Sequence, residues 1–239
     1  MLHGFTGSPA DFAALAAVGS PDLSAPILAP LLGGHLGQPA SANFDEEVER
    51  LAALAPSATK LFGYSLGGRL ALGLVVRYPD RFERAVVVSA HPGLRRGSER
   101  ALRRAQDLRW IRLLRERGIA AFVAAWEQQA LWRTQDALPE CMRAARRRVR
   151  CLHDAEGLAR SLESVGLGQM CDLRPQLARS SCAVDVLAGR EDAKFLLLAE
   201  ELQRLIPGAS LGVAERAGHD LVLEQPRFCA AYLSPGVRS

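Results

Sequence analysis

The feature that most constrains this 239-residue chain is the run Gly63-Tyr64-Ser65-Leu66-Gly67, a G-x-S-x-G pattern. Thr59 to Tyr64 reads as a strand, and Leu66 to Arg77 as a helix stopped by Pro79. A serine between the two must sit on a sharp turn, which only small neighbours allow; Gly63, Gly67 and Gly68 supply them. Such a turn lifts the serine oxygen above the strand ends. It also aims the backbone N–H of Leu66, at the helix start, at any negative charge that develops there. A glycine-rich turn without chemistry is the plainer reading, so the rest of the chain has to decide.

Short apolar, β-branched runs alternate with helical stretches, which predicts a mostly parallel sheet flanked by helices. Arg84 to Ser89, Ala183 to Ala188 and Ser210 to Ala214 read as strands, and Ala25 to Pro30 allows a short one. Phe44 to Ala55 and Phe195 to Ile206 read as helices, and another is expected after Gln225-Pro226. From Leu94 to about Cys171 the alternation stops. That stretch is helical, arginine-rich and holds all three tryptophans. It predicts a helical cap, or lid, over residues 94–171, inserted into a core made of residues 1–93 and 172–239.

Several function classes fall away. Lys+Arg 30 against Asp+Glu 26 leaves a net charge of +4, with acidic residues interspersed along the chain, so no nucleic-acid partner is expected. No apolar run approaches the ~20 residues of a membrane span. The five cysteines are widely spaced with no CxxC or His/Cys cluster, so neither a zinc site nor a disulfide framework is expected. The expected location is cytoplasmic. No metal or organic cofactor is implied.

A serine hydroxyl needs a base beside it. Asp192 follows the strand Ala183 to Ala188, and His219 follows the last strand, so the order is Ser65, Asp192, His219. Each lies past the carboxyl end of a parallel strand, where open α/β sheets bind ligands. Asp192 would fix the tautomer of His219 and stabilise its cation. Glu191 and Asp220 are the nearest competitors; the first points elsewhere, and the second adjoins His219 too closely to face it. His3-Gly4-Phe5-Thr6-Gly7 adds a glycine-flanked loop whose Phe5 N–H can join that of Leu66 in an oxyanion hole. His35, His91 and His153 read as structural, and Arg146-Arg147-Arg148 as a solvated helix face.

Together these residues resemble the α/β-hydrolase superfamily. Within it the chain is similar to the MenH family, the 2-succinyl-6-hydroxy-2,4-cyclohexadiene-1-carboxylate synthases of menaquinone biosynthesis, from Leu2 to Pro226. The narrower likeness rests on Gly68-Arg69, His91-Pro92-Gly93-Leu94, Trp126-Glu127-Gln128-Gln129 and Gly189-Arg190-Glu191-Asp192-Ala193-Lys194-Phe195. The resemblance implies an α/β-hydrolase fold with a helical cap. It also implies a lyase that expels pyruvate from 2-succinyl-5-enolpyruvyl-6-hydroxy-3-cyclohexene-1-carboxylate, with Ser65 as the base. Tyr64, next to Ser65, and Arg69, on the first turn of the helix after it, are expected to contact substrate, and family matching adds Arg103, Trp126 and Arg150. Where the family often has a tyrosine after the tryptophan, this chain has Glu127. The chain also opens almost at the His3-Gly4 loop, so the first strands of the family's sheet are expected to be truncated and Phe5 loosely anchored.

Arginine forks suit a substrate with several carboxylates. The expected partner is therefore a small anionic substrate, handled by a monomer or weak homo-oligomer. A serine carboxylesterase or C–C bond hydrolase using the same three residues is the alternative, and a non-catalytic relative the third possibility.

Overall fold

The computed structural model describes residues 1–19, 26–57 and 59–233. Four parallel strands form one sheet in the order β1 (Thr59–Tyr64), β2 (Phe82–Val88), β3 (Ala183–Gly189), β4 (Ser210–Ala214). Beyond β1, Leu2 makes a single parallel bridge to Gly63: its N–H donates to Phe62 O at 2.8 Å, and its carbonyl accepts from Tyr64 N at 3.0 Å. The strands are apolar on both faces because both are covered. Leu61, Ala85, Val87, Val184 and Val186 face one core with α2 (Phe44–Leu54), α3 (Leu66–Arg77) and α8 (Ala193–Leu205). Phe62, Val86, Val88 and Leu187 face the other with α1 (Ala13–Gly19), α9 (Leu221–Glu224) and α10 (Pro226–Ala231). This is the doubly covered parallel sheet the alternation predicts.

Between β2 and β3 the chain is helical: α4 (Gly97–Trp126), a 3-10 stretch (Ala130–Ala137), α5 (Glu140–Cys151), α6 (Ala155–Val165) and the short α7 (Arg174–Leu177). Gly118, at φ 75°, breaks the course of α4. Ile111, Leu114, Phe122 and Val123 of α4 meet Leu158, Ala159 and Leu162 of α6 in a third, smaller core. Arg115 clamps the same pair of helices from outside, 2.8 Å from Glu156 and 2.7 Å from Glu163.

The expected strand at 25–30 does not form. Ala25 lies outside the described residues, and 26–30 are irregular. Pro26 and Pro30 lack the N–H groups a ladder needs. Elsewhere the boundaries shift slightly. The helix after β3 starts at Ala193 because the Asp192 side chain caps it, accepting from Phe195 N at 3.3 Å. Among the described residues no helix is long and apolar enough to cross a membrane.

Candidate active site

Ser65 stands between β1 and α3 at φ 53°, ψ −105°, a left-handed conformation that an L-residue adopts at a cost of about 1–3 kcal/mol. Packing enforces it. A Cβ on Gly63 would collide with the carbonyl of Gly67, and one on Gly67 with the carbonyl of Leu2. Ser65 N donates to Val88 O at 2.9 Å, and Gly67 N to His3 O at 3.0 Å, so β2 and the first loop both hold the turn. The Ser65 hydroxyl lies 3.0 Å from His219 Nε2, and His219 Nδ1 lies 2.8 Å from Asp192 Oδ2. With the ring proton on Nδ1, donated to Asp192, Nε2 accepts the serine proton.

Each partner is fixed in turn. Asp192 uses its other oxygen to cap α8. The His219 carbonyl accepts from Ser89 Oγ at 2.9 Å, and the imidazole packs against Phe195, Trp132 and Tyr64 at 4.4, 5.6 and 5.6 Å between ring centres. The competitors turn elsewhere. Asp220 binds Arg146 at 3.1 Å, and Glu191 is exposed.

A cavity of about 330 Å³ opens over Ser65 and His219. Phe5 and Leu66 both border it, and among the described residues neither backbone N–H has a hydrogen-bond partner. The loop carrying Phe5 is firmly held, contrary to expectation. Leu32 N donates to His3 Nε2 at 3.2 Å, Thr6 N donates to His35 Nε2 at 3.3 Å, and the Phe5 ring sits edge-on to Trp126 and Phe122. His3, His35 and His153 meet edge to face in sequence, with ring centres 4.9 and 5.3 Å apart. Burial pushes His3 down to about 3, His35 well below the usual range and His153 downward, so all three stay neutral acceptors. The structural reading of these rings fits their bonding. Among the described residues no group of three or more His, Cys, Asp or Glu is placed to hold a metal ion.

Of the expected substrate contacts, Tyr64, Arg69, Arg103 and Trp126 border the cavity. The Tyr64 hydroxyl is buried with no partner. Arg69 donates to Val165 O at 2.8 Å, and no carboxylate of the described residues pairs with it. Burial, with the charge of Arg103 nearby, lowers its pKa to about 9. Arg103 is held by Asp107 at 2.8 Å. Trp126 stacks on Phe122 at 5.4 Å.

Two expectations about arginines need correction. Arg150 does not border the cavity. Glu127 captures its Nη1 at 2.9 Å, and its guanidinium lies 5.0 Å over the Trp132 ring. Arg146 is not on a solvated face: it is buried between Asp11 and Asp220. Sequence reasoning also passed over Trp110, Trp132, Lys194 and Phe195, all on the cavity wall. Lys194 and Phe195 had a readable signal, since they open the helix that Asp192 caps.

The sequence profile of the alpha/beta hydrolase family matches residues 1–232, and the chain belongs to that family. The 2-succinyl-6-hydroxy-2,4-cyclohexadiene-1-carboxylate synthase of Shigella sonnei (strain Ss046) is 32% identical over 243 residues, spanning 99% of this chain and 92% of its own. The structure of MenH from S. aureus superposes with a TM-score of 0.90 at 26% identity, over 97% of this chain and 90% of that one. Within the alpha/beta hydrolases the chain therefore falls in the family of these synthases. A thermophilic esterase from Thermogutta terrifontis shares the fold, with a TM-score of 0.80 at 22% identity over 97% and 86% of the two chains.

Proposed function

We propose that this chain is a carbon–oxygen lyase that expels pyruvate from 2-succinyl-5-enolpyruvyl-6-hydroxy-3-cyclohexene-1-carboxylate, leaving 2-succinyl-6-hydroxy-2,4-cyclohexadiene-1-carboxylate. Ser65 is the base. It takes the proton from the ring carbon beside the succinyl ketone while passing its own to His219, whose cation Asp192 stabilises. The enolate oxygen settles against the N–H groups of Phe5 and Leu66, each worth about 3 kcal/mol to such a charge. The electrons then return through the ring double bond and break the bond to the enolpyruvyl oxygen. The fragment departs as the enolate of pyruvate, which takes back the proton held on His219 and leaves as pyruvate.

One observation supports this over ester cleavage. The cavity over Ser65 is walled by three cations, Arg69, Arg103 and Lys194, against the single carboxylate of Asp107. Such a wall suits a substrate with three carboxylates and disfavours a neutral ester. In this reading residues 94–171 form the cap, over a core of residues 1–93 and 172–239. Tyr64, Arg69, Arg103 and Trp126 contact substrate, whereas Arg150 acts from behind Trp132. The enzyme works in the cytoplasm on a free anionic metabolite.

The test is pyruvate release from the enolpyruvyl substrate, followed by lactate dehydrogenase and NADH, beside turnover of 4-nitrophenyl esters. Pyruvate release that requires Ser65 is expected. Efficient ester cleavage without pyruvate would reject the proposal.

A further inference from the structure

The chain has only two lysines, Lys60 and Lys194; every other basic side chain apart from histidine is arginine. Lys194 is the one on the cavity wall. Most of its electrostatic surroundings are unfavourable. It occupies the second residue of α8, at the positive end of the helix dipole, where a cation is destabilising. Among the described residues its ammonium has no hydrogen bond and no ion-pair partner. Arg103 faces the same cavity and repels it, and His91, on the same wall, is neutral. Partial desolvation and Arg103 both pull its pKa down, with only Asp192 opposing.

The side chain is nevertheless directed. Its Nζ lies 5.4 Å over the Phe195 ring, and Phe195 packs on His219. A compact ammonium is thus held at the exposed edge of the cavity, over the Phe195 ring and free to receive an anion. Arg69, by contrast, is bound to the Val165 carbonyl of the cap and lies deeper.

We propose that Lys194 is a substrate-binding, specificity-determining residue that takes the carboxylate of the departing enolpyruvyl fragment, leaving the two carboxylates of the retained ring product to Arg69 and Arg103. This rests on the lyase reading above. The smaller fragment must leave the site, and a rim position lets it go without dragging the ring product past the cations. A point charge suits this task better than a bidentate fork, because it holds a carboxylate without fixing its plane.

The experiment compares Lys194→Gln and Lys194→Arg with the unaltered chain, in pyruvate-release kinetics and in inhibition by each product added singly. Lys194→Gln is expected to raise KM for the enolpyruvyl substrate about tenfold and to change kcat less than threefold. It is expected to weaken inhibition by pyruvate about tenfold and to leave inhibition by the cyclohexadiene product within twofold. Lys194→Arg should recover most of the KM. Unchanged KM and unchanged pyruvate inhibition in Lys194→Gln would overturn the assignment. So would equal weakening of both products, which would make Lys194 a general source of positive potential. The unaltered chain releasing no pyruvate would instead remove the lyase reading. Thermal unfolding guards against misfolding: relief of the cation at the helix start should leave Tm unchanged or slightly higher.

Discussion

The strand ends and the helices over them hold their charged residues by different means. At the strand ends the main chain does the placing. A crowded turn pins Ser65, a helix cap pins Asp192, and a bond from Ser89 to its carbonyl pins His219. Among the helices, side chains find partners far along the chain: Arg146 of α5 lies between Asp11 and Asp220, and Arg150 is taken by Glu127. Residues placed by backbone geometry can do chemistry at once. Residues placed by pairing have had most of their charge spent before any ligand arrives.

That contrast can be broken, and the largest effect should come from the strand ends. Ser65→Ala should lower kcat for pyruvate release by about 10⁴-fold with little change in Tm, since members of such a set act as a unit. A loss of tenfold or less would mean that the turn is architectural. Arg146→Met probes the seam between the two regions. It leaves Asp11 and Asp220 buried without a cation and should destabilise the fold by about 3–5 kcal/mol in denaturant titration. Arg69→Ala should cost about 100-fold in kcat/KM for the polycarboxylate and far less for any neutral ester, because Arg69 is a half-buried cavity cation with no carboxylate partner among the described residues. An equal loss on both substrates would reassign Arg69 to holding α6 through Val165.

Acid should act on the first loop and its surroundings. His3 and His91 are held at about 3 in the fold, against about 6.5 in an unfolded chain. Above pH 6.5 both states are neutral and these groups contribute nothing. As pH falls below 6.5 the unfolded chain takes up protons that the fold refuses. Stability should then fall by roughly 1.4 kcal/mol per pH unit for each such histidine. Urea midpoints between pH 7 and pH 5 measure this, and His3→Asn should flatten the slope.

The same division explains what could be read from the amino acids alone. The turn at Ser65, the order Ser65, Asp192, His219 and the four strands follow from local rules: glycine spacing, apolar runs and residues that cap helices. Tyr64 and Arg69 are expected as substrate contacts from their place beside Ser65, and Arg103 and Trp126 from resemblance; all four border the cavity. Arg150 and Arg146 could not be read because their surroundings depend on Glu127, Asp11 and Asp220, which no local pattern links to them. The irregular path at 26–30 escaped for a different reason. Its apolar residues suit a strand, and only the two prolines argue otherwise. Lys194 is legible only in its place at the start of the helix that Asp192 caps; its lack of an ion-pair partner among the described residues depends on the tertiary surroundings.

The hydrogen bond between Ser65 and His219 joins residues 154 positions apart, and that between Ser89 and the His219 carbonyl spans 130. Closing such loops costs chain entropy that short-range helical contacts do not, so they form slowly. On dilution from denaturant, helical ellipticity should therefore return well before turnover does. In a newly made copy of this protein the meeting of Ser65 with His219 is therefore expected among the last contacts to form.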